Sequence, residues 1–133
     1  MQDRPTIDEL LEAVAGFLSD DVMPNTQGRL SFHARVAGNV LQMLRRELAH
    51  QEEHLASEWE GLDTLLPAAE RPAGMSAARD AINARNQELC ERIRQGDADE
   101  GDYRAALLTH LRRTVREKIA VSNPALAAEE GAG

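Results

Sequence analysis

The sequence has few of the features that nucleic-acid or membrane recognition requires. It has 15 basic against 23 acidic residues, a formal net charge of −8, and its aromatic residues are two Phe, one Trp and one Tyr. Binding to nucleic acid or to an anionic membrane depends on dense positive charge, and base stacking depends on aromatic platforms. The composition therefore predicts neither a nucleic-acid partner nor a membrane partner.

Cysteine and long apolar runs are equally scarce. Cys90 is the single cysteine, which excludes an intramolecular disulfide and fits a reducing compartment. The start "MQDRPTIDEL" lacks the basic and apolar regions of a signal peptide, and no apolar run approaches the roughly 20 residues of a membrane span. We therefore expect a cytoplasmic protein. A chain of 133 residues has the usual length of one domain, so we predict a single domain.

What the sequence does contain is helical periodicity. Thr6 with Glu9 forms a capping-box signature, and apolar residues then recur at helical spacing as far as Leu18. Turn-forming residues follow over 20–28. Further helices are predicted over 30–49, 52–66, 76–96 and 103–122, with Ser76 and Asp102 as N-caps and Gly96 after a C-terminus. Whether the second and third segments are continuous through "HQEEH" stays open. The prediction is an all-α, single-domain bundle of four to five helices over 1–124, with a disordered tail over 125–133.

Three polar residues interrupt the apolar faces of these helices. His33 falls on the apolar arc of the second helix, Asn86 on that of the helix over 76–96, and Lys118 on that of the last helix. A buried polar group costs roughly 1–3 kcal/mol unless it has a partner. The three residues thus predict either a satisfied structural cluster, with Lys118 reaching out from the rim, or a small ligand pocket.

Arg35 and Asn39 lie one turn apart on the opposite face of the second helix. We expect this face to be covered, with Arg35 paired to Asp20 or Asp21. Alternatively, Arg35 or Lys118 clamps an anion.

"HQEEH" formally matches the inverted zinc-protease signature, and Glu47 with His50 resembles half of a di-iron site. Neither motif has its remaining ligands in a suitable context, so we predict no metal and no cofactor.

A homodimer is predicted from the width of the apolar face on the second helix. Phe32 and Met43 extend this face beyond one packed stripe, and a second helical surface could cover the excess. Trp59 is a further candidate for the same contact.

Four stretches of the chain resemble a bacterial family of domains of unknown function that is also found within aminoglycoside-phosphotransferase-like kinases. These stretches are "RPTIDELLEAVAGFL", "GRLSFHARVAGNVLQMLRREL", "NQELCERIRQG" and "HLRRTVREKIAVSNP". The middle of the chain, "HQEEHLASEWEGLDTLLPAAERPAG", departs from the family pattern. The residues that the resemblance marks as characteristic, and that we predict to bind a ligand, are His33, Arg35, Asn39, Asn86, Lys118 and Asn123.

Genes of this family tend to lie near such kinases and near acyl-CoA dehydrogenases. The resemblance therefore implies a non-catalytic accessory or interaction domain that acts with a separately encoded kinase-like or acyl-CoA-handling protein. The kinase catalytic-loop motif is missing, so no phosphotransferase activity is expected. The alternative is a small helical domain that uses an internal polar cluster to bind a ligand or an anion, or to act as an enzyme.

Overall fold

The computed structural model describes residues 3–130, and side chains as far as residue 128. Its elements are α1 (Ile7–Gly16), a π-helical segment (Phe17–Val22), α2 (Gly28–Asp63), α3 (Met75–Arg94), α4 (Gly101–Ser122) and α5 (Pro124–Glu130). The predicted all-α fold of four to five helices is confirmed. Within residues 3–130, no helix combines the length and the apolar character that crossing a membrane requires.

The start of α1 follows its sequence signature. Thr6 Oγ1 accepts from the backbone N–H of Glu9, and the Glu9 carboxylate accepts from the N–H of Thr6. The predicted break at residue 20 is displaced, because the chain continues as the π-helical segment to Val22. The chain turns only after it, where Asn25 and Thr26 donate side-chain hydrogen bonds to the last carbonyls.

The two helices predicted over 30–49 and 52–66 are one helix. α2 runs for 36 residues through "HQEEH". No Gly or Pro occurs between residues 39 and 60, and Glu, Gln, Leu and Ala favour helix throughout. At 1.5 Å per residue α2 is about 54 Å long.

The later helices confirm the predicted C-terminal ends of α3 and α4 and correct their predicted N-caps. Gly96 follows the C-cap of α3 with φ of +92°, as predicted for a C′ glycine. The N-cap of α3 is Gly74 instead of Ser76, and that of α4 is Glu100 instead of Asp102. Residues 125–130, where the disordered tail was predicted to begin, lie in α5, because proline is compatible with the first position of a helix. Residues 131–133 lie outside the described part of the chain.

Contacts divide the chain into two compact units, Met1–His50 and Gln51–Gly133. In the first unit α1 and the start of α2 are joined by small side chains and an ion pair. Ala15 and Ala34 are its buried residues among those described. Arg45 on α2 holds Asp8 on α1 through two hydrogen bonds of 2.6 and 2.9 Å, and Glu12 lies 3.4 Å away.

The first unit also corrects the predicted core. The arc of α2 that we expected to be buried is largely solvent-exposed, including Leu30, Val36, Val40, Leu44 and Leu48. α1 packs instead near Ala34, where small side chains permit close approach of two helices. α2 does carry a broad apolar face, but this face is exposed within the chain and is not buried as predicted.

The second unit contains the main hydrophobic core. It joins the end of α2, the following loop, α3 and α4 through buried side chains of Leu55, Trp59, Leu62, Leu65, Leu66, Ile82, Leu89, Ala98 and Leu107. Trp59 donates its indole N–H to the carbonyl of Ala69 at 3.2 Å. Trp59 therefore has the core role that is usual for a lone tryptophan at helical spacing, and it is not exposed for the dimer contact that was the other candidate role.

Candidate functional site

The six residues predicted to bind a ligand fall into both units. The first unit holds His33, Arg35 and Asn39, and the second holds Asn86, Lys118 and Asn123. Each group is therefore considered within its own unit.

His33 is exposed on α2 and is not part of a buried cluster. Its ring meets Phe32 edge to face with 5.6 Å between centroids. The helical register predicted from sequence is correct, since His33 does lie among apolar side chains. The error concerns their environment, because that face of α2 is open to solvent in this chain.

Arg35 and Asn39 line a cavity of ≈ 290 Å³ in the first unit. Its other lining residues are mostly small or polar: Ala15, Ser19, Met23, Ala34, Gly38 and Gln42. Arg35 and Asn39 are exposed, and the guanidinium of Arg35 lies 5.9 Å from the centroid of Phe32. The prediction that this face is covered is therefore wrong. Among the described side chains Arg35 pairs with neither Asp20 nor Asp21, and Asp20 instead accepts a hydrogen bond from Ser19.

In the second unit, Asn86 and Lys118 meet at a carboxylate that the sequence interpretation had not singled out. Glu58 on α2 is buried and accepts a 2.9 Å hydrogen bond from Asn86 Nδ2. The exposed Lys118 places Nζ 3.6 Å from the other carboxylate oxygen. Asn86 is thus a partly buried polar residue with a partner, and Lys118 is the exposed rim residue of the structural interpretation.

The Glu58 cluster has a neighbour in His110, which is also buried on α4. Burial lowers the pKa of His110 below its ordinary value, and the charges of Arg113 and Lys118 act in the same direction. Glu58 and Glu117 oppose them. The imidazole is therefore held in its neutral form at neutral pH.

Two polar atoms on α4 are buried without a hydrogen-bond partner. They are Nδ1 of His110 and Oγ1 of Thr114, one turn further on. His110 packs against Gly61 of α2, where a Cβ atom would stand 2.1 Å from Nδ1. Nδ1 thus lies against the α2 backbone, and the His110 side chain also lines a cavity of ≈ 400 Å³ together with Gly61 and Arg113.

A second ion pair in the same unit joins the buried Arg85 to the partly exposed Asp63. Arg85 Nη1 is 2.7 Å from Asp63 Oδ1, and its Nη2 donates to the carbonyl of Pro67 at 3.1 Å. The guanidinium also stacks 4.5 Å from the centroid of Trp59. These contacts fasten the loop after α2 to α3, so Arg85 has a structural role.

Asn123 lies at the junction of α4 and α5. Its backbone N–H donates to Ile119, and its Oδ1 accepts from the N–H of Leu126 at 3.4 Å. This is the geometry of an asparagine that caps a helix. The contacts account for Asn123 without a ligand.

The sequence-based prediction did not include Glu58, Arg85 or His110. For Glu58 and His110 a signal was present, because both lie beside apolar residues of the core. Glu58 adjoins Trp59 among the apolar residues of the end of α2, and His110 follows Leu107 by one turn. Among the described side chains, no three His, Cys, Asp or Glu residues are placed to share a metal ion.

α1 and the π-helical segment present a different kind of surface. Ile7, Leu10, Val14 and Phe17 form an exposed apolar line, which we call the α1 stripe. Between residues 5 and 28 the sequence has five acidic residues and no Lys, Arg or His. The stripe therefore combines exposed apolar side chains with an acidic surrounding.

The chain belongs to a family described as Domain of unknown function (DUF6285), which matches residues 24–126. No curated protein and no solved structure matches it.

Proposed function

We propose that this member of the family is a non-catalytic accessory domain that docks onto a separate protein through the α1 stripe. The partner class is the one that the sequence resemblance implies, a kinase-like or acyl-CoA-handling protein. Its docking surface is an apolar groove rimmed by basic residues. A groove of that kind matches the stripe in both polarity and charge.

One observation carries this proposal: α1 leaves a full line of large apolar side chains in solvent. Ile7 is 66% exposed and Phe17 is 57% exposed. Isolated exposed apolar residues are ordinary, whereas a contiguous set on one helix face is typical of a protein interaction surface. An amphipathic helix of this kind binds a groove through positions three and four residues apart.

The polar residues around Glu58 in the second unit support a non-catalytic role. The buried Glu58 is paired with the partly buried Asn86 and with the exposed Lys118. Buried polar groups that are occupied with each other specify packing.

The test is direct binding between this protein and two purified proteins of the same organism, a kinase-like protein and an acyl-CoA dehydrogenase. Calorimetry should detect a complex whose affinity falls as salt is raised, because opposite charges surround the contact. Val14→Asp should weaken binding at least tenfold, because it places a charge within the stripe. Ala13→Asp adds the same charge outside the stripe and is the matched control.

Absence of binding to both proteins at about 100 μM would refute the proposal, since that corresponds to less than about 5.5 kcal/mol of affinity. Equal effects of the two substitutions would also refute it.

A second candidate function is binding of a small organic anion in the Arg35 cavity. It is favoured by the convergence of Arg35, Asn39 and Gln42 on a cavity large enough for a metabolite fragment. Thermal-shift titration with acetate, succinate and inorganic phosphate tests it. Stabilisation that Arg35→Gln abolishes would support this function, and no stabilisation at millimolar anion would exclude it.

A further inference from the structure

The cavity beside His110 lies within the second unit, and the proposed function does not use it. It has a volume of ≈ 400 Å³ and lies between the end of α2 and α4. Its lining includes Glu60, Gly61 and Thr64 on the α2 side and Thr109, His110 and Arg113 on the α4 side. Cavities that bind small molecules have volumes of about 300–1,000 Å³, so this one is large enough for a small metabolite. We call it the His110 cavity.

Two nitrogen-bearing side chains of α4 meet at Gly61 in this cavity. The position of a Cβ on Gly61 is 2.1 Å from Nδ1 of His110 and 2.6 Å from Nη2 of Arg113. His110 is only 4% exposed, and its Nδ1 has no hydrogen-bond partner among the described residues. Buried nitrogens without a partner are uncommon, because they forgo the hydrogen bond that water would supply. An unpartnered imidazole nitrogen beside a guanidinium and a cavity favours a polar ligand.

The threonine hydroxyls of the cavity can offer only lone pairs to such a ligand. Thr64 donates its hydroxyl proton to the carbonyl of Gly61 at 2.7 Å, and Thr109 donates its proton to the carbonyl of Ala105 at 3.0 Å. The ionised carboxylate of Glu60 is also an acceptor. Glu60 and Thr64 are four positions apart on the α2 side. This side therefore suits a ligand group that has N–H donors and a positive charge.

Arg113 gives the α4 side the opposite character. A guanidinium carries five N–H donors, and Arg113 uses Nη2 to donate to the carbonyl of Ser57 at 2.7 Å. This contact holds the side chain against α2 and leaves it further donors for an anionic group. Arginine is well suited to bind a carboxylate, because its planar donors match the two carboxylate oxygens. The cavity thus presents a carboxylate from one helix and a guanidinium from the other.

We propose that the His110 cavity binds a small zwitterion, an α-amino acid, with the ammonium group toward Glu60 and Thr64 and the carboxylate toward Arg113. A simple anion would bring its charge near Glu60, and a simple amine would bring its charge near Arg113. Each of these would gain attraction from one residue and repulsion from the other, whereas a zwitterion gains attraction from both.

The charge state of His110 agrees with a ligand of this kind. Burial lowers the pKa of His110, so the ring is neutral at neutral pH. A neutral imidazole adds hydrogen-bonding capacity to the cavity without a second positive charge beside Arg113. The balance between Glu60 and Arg113 is therefore preserved.

Two-dimensional ¹H–¹⁵N NMR of the full chain tests the inference, with each of the protein L-amino acids as a probe. At least one of them, at about 10 mM, should shift the backbone amide signals of residues 60–64 and 106–113 in a saturable manner. The corresponding amine without the carboxylate and the corresponding acid without the ammonium group should each bind at least about tenfold more weakly. For L-alanine these two analogues are ethylamine and propionate.

Four variants test which residues hold the amino acid. Arg113→Gln and Glu60→Gln should each raise its dissociation constant about tenfold, because each removes one of the two opposite charges. Arg112→Gln and Glu88→Gln are the matched controls at exposed positions and should leave the constant unchanged. Glu60 is itself exposed, so Glu60→Gln remains informative if Arg113→Gln loses stability with the Ser57 contact.

The inference would be overturned if no amino acid shifted the signals of residues 60–64 and 106–113, or if the shifts were confined to residues 34–42 around the Arg35 cavity. Equal affinity for the amino acid and for its amine or acid analogue would also overturn it, as would equal effects of the cavity variants and their controls. Glu60→Gln leaves the α1 stripe unaltered, so amino-acid binding here and partner binding at α1 succeed or fail independently.

Discussion

At the residue scale, Gly61 has a specific steric role in the second unit. A Cβ at this position would stand 2.1 Å from His110 Nδ1 and 2.6 Å from Arg113 Nη2. Arg113 in turn donates to the carbonyl of Ser57 at 2.7 Å. The missing side chain thus permits α4 to approach α2 and to shield a buried imidazole.

We expect Gly61→Ala to destabilise the protein by about 1–3 kcal/mol, the usual cost of overpacking, despite the better helix propensity of alanine. Gly38→Ala is the matched control on the same helix, because nothing lies within 4 Å of its added Cβ. It should stabilise by about 0.5–1 kcal/mol. Urea unfolding followed by circular dichroism measures both. If both substitutions changed the free energy of unfolding in the same direction, the steric explanation would be contradicted.

Also at the residue scale, His110 predicts how stability depends on pH. Its pKa is lowered by burial in the folded state, so the unfolded chain binds the proton more readily. Above the unfolded pKa of about 6.5 the imidazole is neutral in both states, and the free energy of unfolding is at its highest with respect to this group. As pH falls below 6.5 toward the folded pKa, the unfolded chain takes up the proton and the free energy of unfolding decreases. His110→Leu should therefore flatten the decline in unfolding free energy below about pH 6.5.

A slope that is the same in the unaltered protein and in His110→Leu would show that the imidazole does not control it.

At the scale of the helical elements, α1 is joined to α2 by a contact that is open to solvent. Arg45 lowers the pKa of Asp8 mainly through its hydrogen bond. Substituting Arg45→Gln should return the Asp8 pKa toward its ordinary value, as followed by the carboxyl carbon shift in an NMR titration. Arg35→Gln should not move it. An unchanged Asp8 titration in Arg45→Gln would mean that the two helices are not joined there in solution.

The helices also show what the sequence could predict. Local chemistry was sufficient for the capping box at Thr6 and for the glycine after α3, because these signals depend on residues a few positions apart. A stretch without Gly and Pro permits a continuous helix but does not exclude a turn, so the sequence left the continuity of α2 open. The buried side of α2 was predicted wrongly, because hydrophobic periodicity identifies an apolar face but not the surface that covers it.

The same reasoning applies to the candidate site. Asn86 and Lys118 were recognisable as polar residues on apolar faces. Their common partner Glu58 lies 28 residues before Asn86, and no local pattern joins the two. Long-range pairing of this kind follows only from the tertiary packing.

At the scale of the whole molecule, the two units differ in how much large apolar surface they bury. The first unit buries Ala15 and Ala34 among its described residues, whereas the second buries a cluster around Trp59 and Leu62. Larger buried side chains contribute more free energy on folding. The two halves of α2 should therefore differ in local stability.

We expect amide hydrogen exchange to be faster over 30–48 than over 55–62, although both segments belong to α2. Raising the protein concentration should slow exchange selectively over 30–48 if a second copy covers the exposed apolar face of α2. Uniform protection along α2 at every concentration would contradict both the energetic difference and the self-association.

The position of Trp59 determines which events intrinsic fluorescence can report. It is the sole tryptophan, and the sole tyrosine, Tyr103, packs against the same core. Emission therefore follows the second unit, where the indole is held beneath the Arg85 guanidinium. A melting curve recorded by emission will describe that unit even if the first has already opened. Disagreement between the emission curve and the far-ultraviolet dichroism curve would then measure the independence of the two units.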